Sequence, residues 1–427
     1  MKHRNKVGIV AAGVAAVLAL AGCTTSGGTG ASTPSAQDPA TITFLTFQSP
    51  NLTKDFWDAQ VKEVQKQYPN LKVNVEYTPG LDRQGYAKQL LASGNLPDVI
   101  WDAPLNDFVK AGALLPYEAS DLANIDAPDT AGAIDGKHYS LTLGTQAIPM
   151  IYYNKDEFAA LGIKVPTTFS ELEAAAATIK AAGKTPFLIG GGGTDTWTST
   201  IFLDGIITSD VLGSNPNWQK DLKAGKVHFS DADFTAAVTK WQGLFAKGYF
   251  NSDALTLDYS KLSAAFAAGA GVMYPMGSWA GTTKADFNVG VFALPGASSS
   301  PTLGLNYGQA LYVSATTKYP AAARAFAVAL GTGTGPNLAQ LNSDSLIPVV
   351  KGFQIPSETA PLIKDTVAAF KTDGAKYVDP FGWTQGADAL PTGFGTIFDK
   401  GAQAVLLGGD VKSFLTDMDS QYKTLNK

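Results

Sequence analysis

Between Leu71 and Tyr77 apolar and polar residues alternate strictly, with Leu71, Val73, Val75 and Tyr77 set against Lys72, Asn74 and Glu76. A period of two puts one set on one face, so this stretch is a half-buried strand. Upstream, Trp57, Val61, Val64 and Tyr68 step by four, three and four. That is one face of a helix, which Pro69 should stop. Ile42 and Phe44 mark an earlier strand ending at Thr46-Phe47-Gln48-Ser49. Another helix is expected from about Arg83 to Ser93, a turn at Gly94-Asn95-Leu96-Pro97, and a strand over Asp98-Val99-Ile100-Trp101. Strands alternating with helices imply a largely parallel sheet.

The pattern changes between Asp135 and Glu171. Leu141 and Leu143 alternate with small or polar residues, Gln146 interrupts, and Ile148, Met150, Ile151, Tyr152 and Tyr153 resume the apolar run. A short apolar run bounded by polar breaks fits a buried strand. Thr168 and Glu171 have the spacing of a capping box, followed on one helical face by Phe169, Leu172, Ala176 and Ile179. Further on, Pro186 to Ile189 is expected to be a strand leading into Gly190–Gly193. Leu262 and Phe266 lie on a helix, Pro320 to Leu330 forms an Ala-rich helix, and Phe398, Ala402, Val405 and Leu406 share a C-terminal helical face.

At 427 residues the chain has length for two or three domains, and 45% hydrophobic residues suffice for sizeable cores. Net charge is −5, with no large basic run after the N-terminus, so nucleic acid is excluded as a partner. The single cysteine, Cys23, rules out an intramolecular disulfide and a Cys-based metal cluster. His3, His138 and His228 are isolated and form no metal-ligand pattern. The glycine run Gly190–Gly193 lacks the GxGxxG order, and Gly183-Lys184-Thr185 has Thr178 where a phosphate loop needs glycine, so no cofactor is expected.

Residues 1–22 read as a secretory leader, with Lys2, Arg4 and Lys6 before the apolar run Val7 to Leu20. That run is short of the roughly 20 residues that span a bilayer. It ends in Leu20-Ala21-Gly22-Cys23, the pattern of a bacterial lipobox, which implies lipid attachment at Cys23. Residues 23–40 are rich in Ser, Thr, Gly, Ala, Pro and Gln, the composition of a flexible tether. The expected location is the extracellular face of a cell membrane.

A DGK turn, a strand, YNKD, then F..LGI..P.TF.EL over Asp135–Glu171 resembles the sugar-binding (family 1) extracellular solute-binding proteins, capture subunits of ATP-driven importers. LASGNLPDVIW, the Gly271–Trp279 block, Val291–Gly296, Asn306-Tyr307-Gly308-Gln309, the Pro320 helix and Leu346-Ile347-Pro348-Val349 follow in that family's order. The resemblance implies an α/β fold of two lobes, the type II periplasmic-binding-protein architecture, with a ligand cleft between them. It implies lobe I at 41–146 and 308–345 and lobe II at 147–307 and 346–427, with Gly144, Thr145 and Gln146 in a hinge. It also implies a monomer that binds a sugar and docks on separate membrane permease subunits, with no catalysis of its own.

A sugar offers C–H faces that pack on aromatic rings and a rim of hydroxyls that need paired polar groups when buried. Aromatic and polar residues together at strand ends are therefore the candidates: Gln48, Trp101, Asp102, Gln146, Asp195, Trp197, Trp279, Gln309 and Trp383. Each has a plainer role open to it. Trp101, Trp197, Trp279 and Trp383 could be packing, and Asp102 and Asp195 could be helix caps. A lipid-anchored glycoside hydrolase working with two carboxylates is the rival reading, because motif absence does not exclude one.

Overall fold

The computed structural model describes residues 35–80, 82–126, 133–296, 301–307, 310–371, 374–383 and 386–426. Cys23 and Gln309 lie outside the described residues. The first sheet has the order Leu71–Tyr77, Ala40–Thr46, Val99–Trp101, Ala310–Ser314, Leu114–Leu115, with Leu141–Thr142 also paired to Ala310–Ser314. Its first three strands are parallel, as the strand–helix alternation predicts. Ala310–Ser314 runs antiparallel to Val99–Trp101.

The second sheet is built differently from the first. Met150–Asn154 lies at its centre and pairs antiparallel with both Met273–Met276 and Val289–Ala293. The reason is directional. Met150–Asn154 and Ala310–Ser314 each carry the chain away from a crossing, so each runs opposite to the strands that end there. The stretch Pro186 to Ile189 also falls short of a full strand. Phe187 makes only single bridges to Phe250 and Met273, because the glycine turn begins at once with Gly191 at φ +129°.

Between the two sheets the chain runs through three adjacent segments. Gln146–Ala147 pairs antiparallel with Thr302–Asn306, and Thr145 exchanges both backbone hydrogen bonds with Ile347, at 2.8 and 3.0 Å. These are the segments singled out in the sequence around Gln146, Asn306 and Ile347. Bonding the three together limits how the sheets can move relative to one another.

Local signals account for the helices. Thr53 caps Lys54–Gln65 by accepting from Phe56 N, and Trp57, Val61 and Val64 are buried as their spacing requires. That helix stops at Gln65, ahead of Pro69, because the chain already turns there, with Tyr68 N donating to Val64 O. Thr168 and Glu171 form the reciprocal capping box of Phe169–Ala181. Pro320 occupies the first turn of Pro320–Thr332, where its missing N–H costs nothing. One core, with Phe44, Trp57, Trp101 and Phe326, lies against the first sheet. Another, with Phe187, Trp218, Phe234 and Phe398, lies among the helices beside the second. Among the described residues no helix is long and apolar enough to cross a membrane.

Candidate binding site

Three tryptophans far apart in sequence meet beside the second sheet. Trp197 opens the helix Trp197–Ile207, directly after the glycine turn. Trp279 lies in the short helical turn Ser278–Thr282 that follows Met273–Met276. Trp383 follows Phe381 and Gly382, and Gly382 has φ +80°, which favours glycine. The ring centroids form a near-equilateral triangle: 5.9 Å between Trp197 and Trp279, 6.2 Å between Trp197 and Trp383, and 6.0 Å between Trp279 and Trp383. Tyr259 adds a fourth ring, 5.3 Å from Trp197. Gly277 makes this possible: a Cβ there would lie 2.0 Å from the Trp279 ring.

Polar groups surround the rings. Asn51, in the loop after the first strand, donates from Nδ2 to the Trp279 carbonyl (3.3 Å) and to Asp344 Oδ1 (2.9 Å). Gln146 donates from Nε2 to the other Asp344 oxygen at 3.3 Å, while its Oε1 is buried with no partner. Asp344 ends the helix Thr334–Asp344, so this one carboxylate joins the first-strand loop to a crossing and, through Asn51, to the Trp279 turn. Burial pushes its carboxyl up to about 7, against the bond from Asn51, the nearby Arg83 charge and the bond from Gln146.

On the other side, Trp383 Nε1–H points at Asp204 Oδ2, at 3.4 Å. Burial holds the Asp204 carboxyl well above the usual range, with the Asp399 charge adding to the effect. Asp399 is itself pushed up to about 6 by burial, which outweighs the bonds it accepts from Thr200 and Thr196.

The raised carboxyls fix the sign of a pH effect. A free Asp titrates near 4. Below that pH the groups are protonated folded or unfolded. As pH rises through the window from about 4 to about 7, the unfolded chain ionises first, so Asp344 and Asp399 progressively lose the folded state stability. Melting curves from pH 5 to pH 8 should show Asp344→Asn gaining on the wild type as pH rises, by about 1 °C per kcal/mol. A constant gap would contradict the raised carboxyl.

The remaining candidates are placed as follows. Trp101 is 2% exposed and packs edge-on against Trp57 (4.8 Å) and Phe47 (5.7 Å). It packs in the core of the first sheet, the plainer role that its sequence position also left open. Asp102, at φ 61°, caps no helix. Its carboxylate takes Arg83 Nε at 3.1 Å and Gln84 Nε2 at 3.0 Å, and Arg83 also lies over the Phe47 ring. Asp195 does not cap its own helix either. Its Oδ2 accepts from Tyr259 N at 2.9 Å and so fixes the start of Tyr259–Ala267. Gln48 is exposed beside Phe47. Gly190, Gly191 and Gly192 serve close packing, since a Cβ on Gly192 would lie 2.4 Å from Thr256 O, whereas Gly193 has open space around it and a φ of +63°.

Sequence reasoning missed Asn51, Tyr259, Asp344, Asp204 and Asp399. Asp204 did leave a signal, as a lone carboxylate within the apolar run Trp197–Ile207. A larger groove of about 730 Å³ lies elsewhere, between Phe169–Ala181 and Ala232–Ala246. Two of its three lysines, Lys240 and Lys247, are already paired with Asp210 and Glu173, and no tryptophan lines it. Among the described residues no group of His, Cys, Asp and Glu could hold a metal ion.

Two sheets joined by three crossings, with aromatic and polar groups gathered beside them, define a two-lobe α/β binding protein of the type II class. The chain belongs to the bacterial extracellular solute-binding protein family, whose model matches residues 49–332. The Multiple sugar-binding protein of Streptococcus mutans is 30% identical over 336 residues, 75% of this chain and 76% of that protein. Among solved structures, a chitin oligosaccharide binding protein superposes with TM-score 0.78 at 23% identity, over 91% of this chain and 99% of its own. RafE in complex with raffinose gives TM-score 0.73 at 26% identity, over 91% and 100%. Members of this family bind solutes and are not enzymes, so the glycoside hydrolase reading falls.

Proposed function

We infer that this chain captures a carbohydrate outside the cell and hands it to the membrane subunits of an ATP-driven importer. The observation that carries this is the triangle of Trp197, Trp279 and Trp383, about 6 Å on each side, set among Asn51, Gln146, Asp204 and Asp344. It offers both kinds of surface a sugar needs. The resemblance to the S. mutans protein and to RafE supports the same class of ligand. We take lobe I as 41–146 with 308–345 and lobe II as 147–307 with 346–427, in keeping with the membership of the two sheets. A sugar touching both lobes favours their closed arrangement by the contacts it adds there, and that arrangement is what a permease recognises.

The test is a thermal-shift screen of residues 37–427 against mono-, di- and oligosaccharides, with analysis of the sugar after overnight incubation. A ligand bound only to the folded chain raises its melting temperature. A shift with the sugar intact supports transport binding. Absence of a shift with every sugar, or cleavage of the sugar, would overturn this reading.

The lipobox supports attachment through Cys23 to the outer face of the cell membrane, with the chain acting as a monomer on its tether. Cys23→Ser should move the protein from the membrane pellet to the soluble fraction; retention in the pellet would refute the anchor.

A further inference from the structure

Trp197 and Asp204 share one flank of the helix Trp197–Ile207, two turns apart, with Thr200 between them. Trp383 closes this flank. Its ring centroid lies 6.2 Å from that of Trp197, and its Nε1–H points at Asp204 Oδ2. Asp204 is thus the carboxylate at the edge of the tryptophan triangle. It is only 6% exposed, yet it accepts a single hydrogen bond, at 3.4 Å, and its Oδ1 has no partner among the described residues. Trp197 and Trp383 are half-buried, so the rings beside it stay open to a ligand.

The charges around Asp204 have one sign. Asp399 lies beside the same flank, where it accepts from Thr200 Oγ1 at 2.6 Å and from Thr196 Oγ1 at 3.1 Å, and its charge acts on Asp204. Among the described residues no lysine or arginine pairs with either carboxyl. Across the cluster Asp344 is a third buried acid, and the cation that acts on it, Arg83, already pairs with Asp102 at 3.1 Å. The aromatic faces are unclaimed too. The cation–ring contacts among the described residues fall on Phe47 and Phe169, not on a tryptophan. Burial without a counter-charge holds the Asp204 carboxyl well above its usual range. A neutral sugar hydroxyl gives such a group a hydrogen bond but no charge. An ammonium supplies both, and the faces of tryptophan rings attract it as well.

We propose that the ligand is a carbohydrate carrying a protonated amine, an amino sugar, with its ammonium against Asp204 and its ring on the tryptophans. The inference rests on the carbohydrate reading above and names the chemical class of its ligand. Asp204 forms the ion pair. Asp399, held by its two threonines, adds to the negative field without touching the sugar. Trp383 orients the carboxylate through its Nε1–H.

Calorimetry at pH 7 with sugars matched except at one carbon of each ring tests it. The sets are glucosamine, N-acetylglucosamine and glucose; galactosamine, N-acetylgalactosamine and galactose; and the β-1,4-linked dimers of the first three. In at least one set the wild type should bind the amine about tenfold or more tighter than the acetamide and hydroxyl forms. Asp204→Asn keeps the shape and an acceptor for Trp383, and should cut that ratio about tenfold, with melting curves to establish that it folds. Should it not fold, Asp399→Asn removes the neighbouring charge and should lower the ratio about threefold. Neutral forms bound as tightly as the amine in every set, or an unchanged ratio in a folded variant, would overturn the amino-sugar assignment and leave carbohydrate binding standing. Absence of binding in all sets would overturn the assignment as well, and together with a blank thermal-shift screen it would overturn the carbohydrate reading.

Discussion

Trp279→Ala should weaken carbohydrate binding at least tenfold, a loss of about 1.4 kcal/mol or more. The indole is only 8% exposed and touches both other rings of the triangle. Removing it takes away a stacking face and lets the remaining rings relax into the gap. Its carbonyl stays in place to receive Asn51 and Thr282, so the turn itself should persist. Trp279→Phe keeps a flat apolar surface and should recover part of the loss. The comparison needs melting curves alongside titration, because a truncated buried Trp also costs about 3–5 kcal/mol of stability. Unchanged affinity in a folded Trp279→Ala protein would make this ring a packing residue only.

Phe381→Ala should act on stability and binding together. Its ring is 1% exposed and packs against Phe398 at 5.0 Å and Phe234 at 5.3 Å, with Trp218 and Phe229 at 6.3 Å. Deleting it leaves a cavity costing about 3–5 kcal/mol. Two residues later comes Trp383, and Phe381 N also donates to Thr208 Oγ1. Loosening this anchor should free the Trp383 loop and lower sugar affinity several-fold. Phe229→Ala is the control, since it opens the same core from a segment that carries no site residue. Urea unfolding should show both variants destabilised, and titration should separate them. Equal affinities for the two would mean that Trp383 is held by its own contacts alone.

Much of the architecture was legible because it is written in short periods. The alternation at Leu71–Tyr77, the helical step from Trp57 to Val64 and the capping box at Thr168 each act within a few residues, and each forms as its pattern requires. The three clustered tryptophans were marked by glycine-rich or turn surroundings. Trp101 was not separable from them, because Val99-Ile100-Trp101 is apolar throughout and shows no facing preference. Asn51 and Asp344 escaped notice because they meet across 293 positions, and nothing local in either segment points to the other. The antiparallel second sheet was hidden for a related reason. Strand direction there depends on where the chain crosses, which no window of a dozen residues records.

The order of strands in the first sheet bears on how the chain is made. Ala310–Ser314 sits between Val99–Trp101 and Leu114–Leu115, although it is synthesised roughly two hundred residues after them. A nascent chain that has not yet reached Ala310 must hold Val99–Trp101 as an open edge, and open edges invite pairing with other chains. Folding from the N-terminus therefore stalls at a half-built sheet, and a fragment ending before Ala310 should aggregate where the longer chain does not.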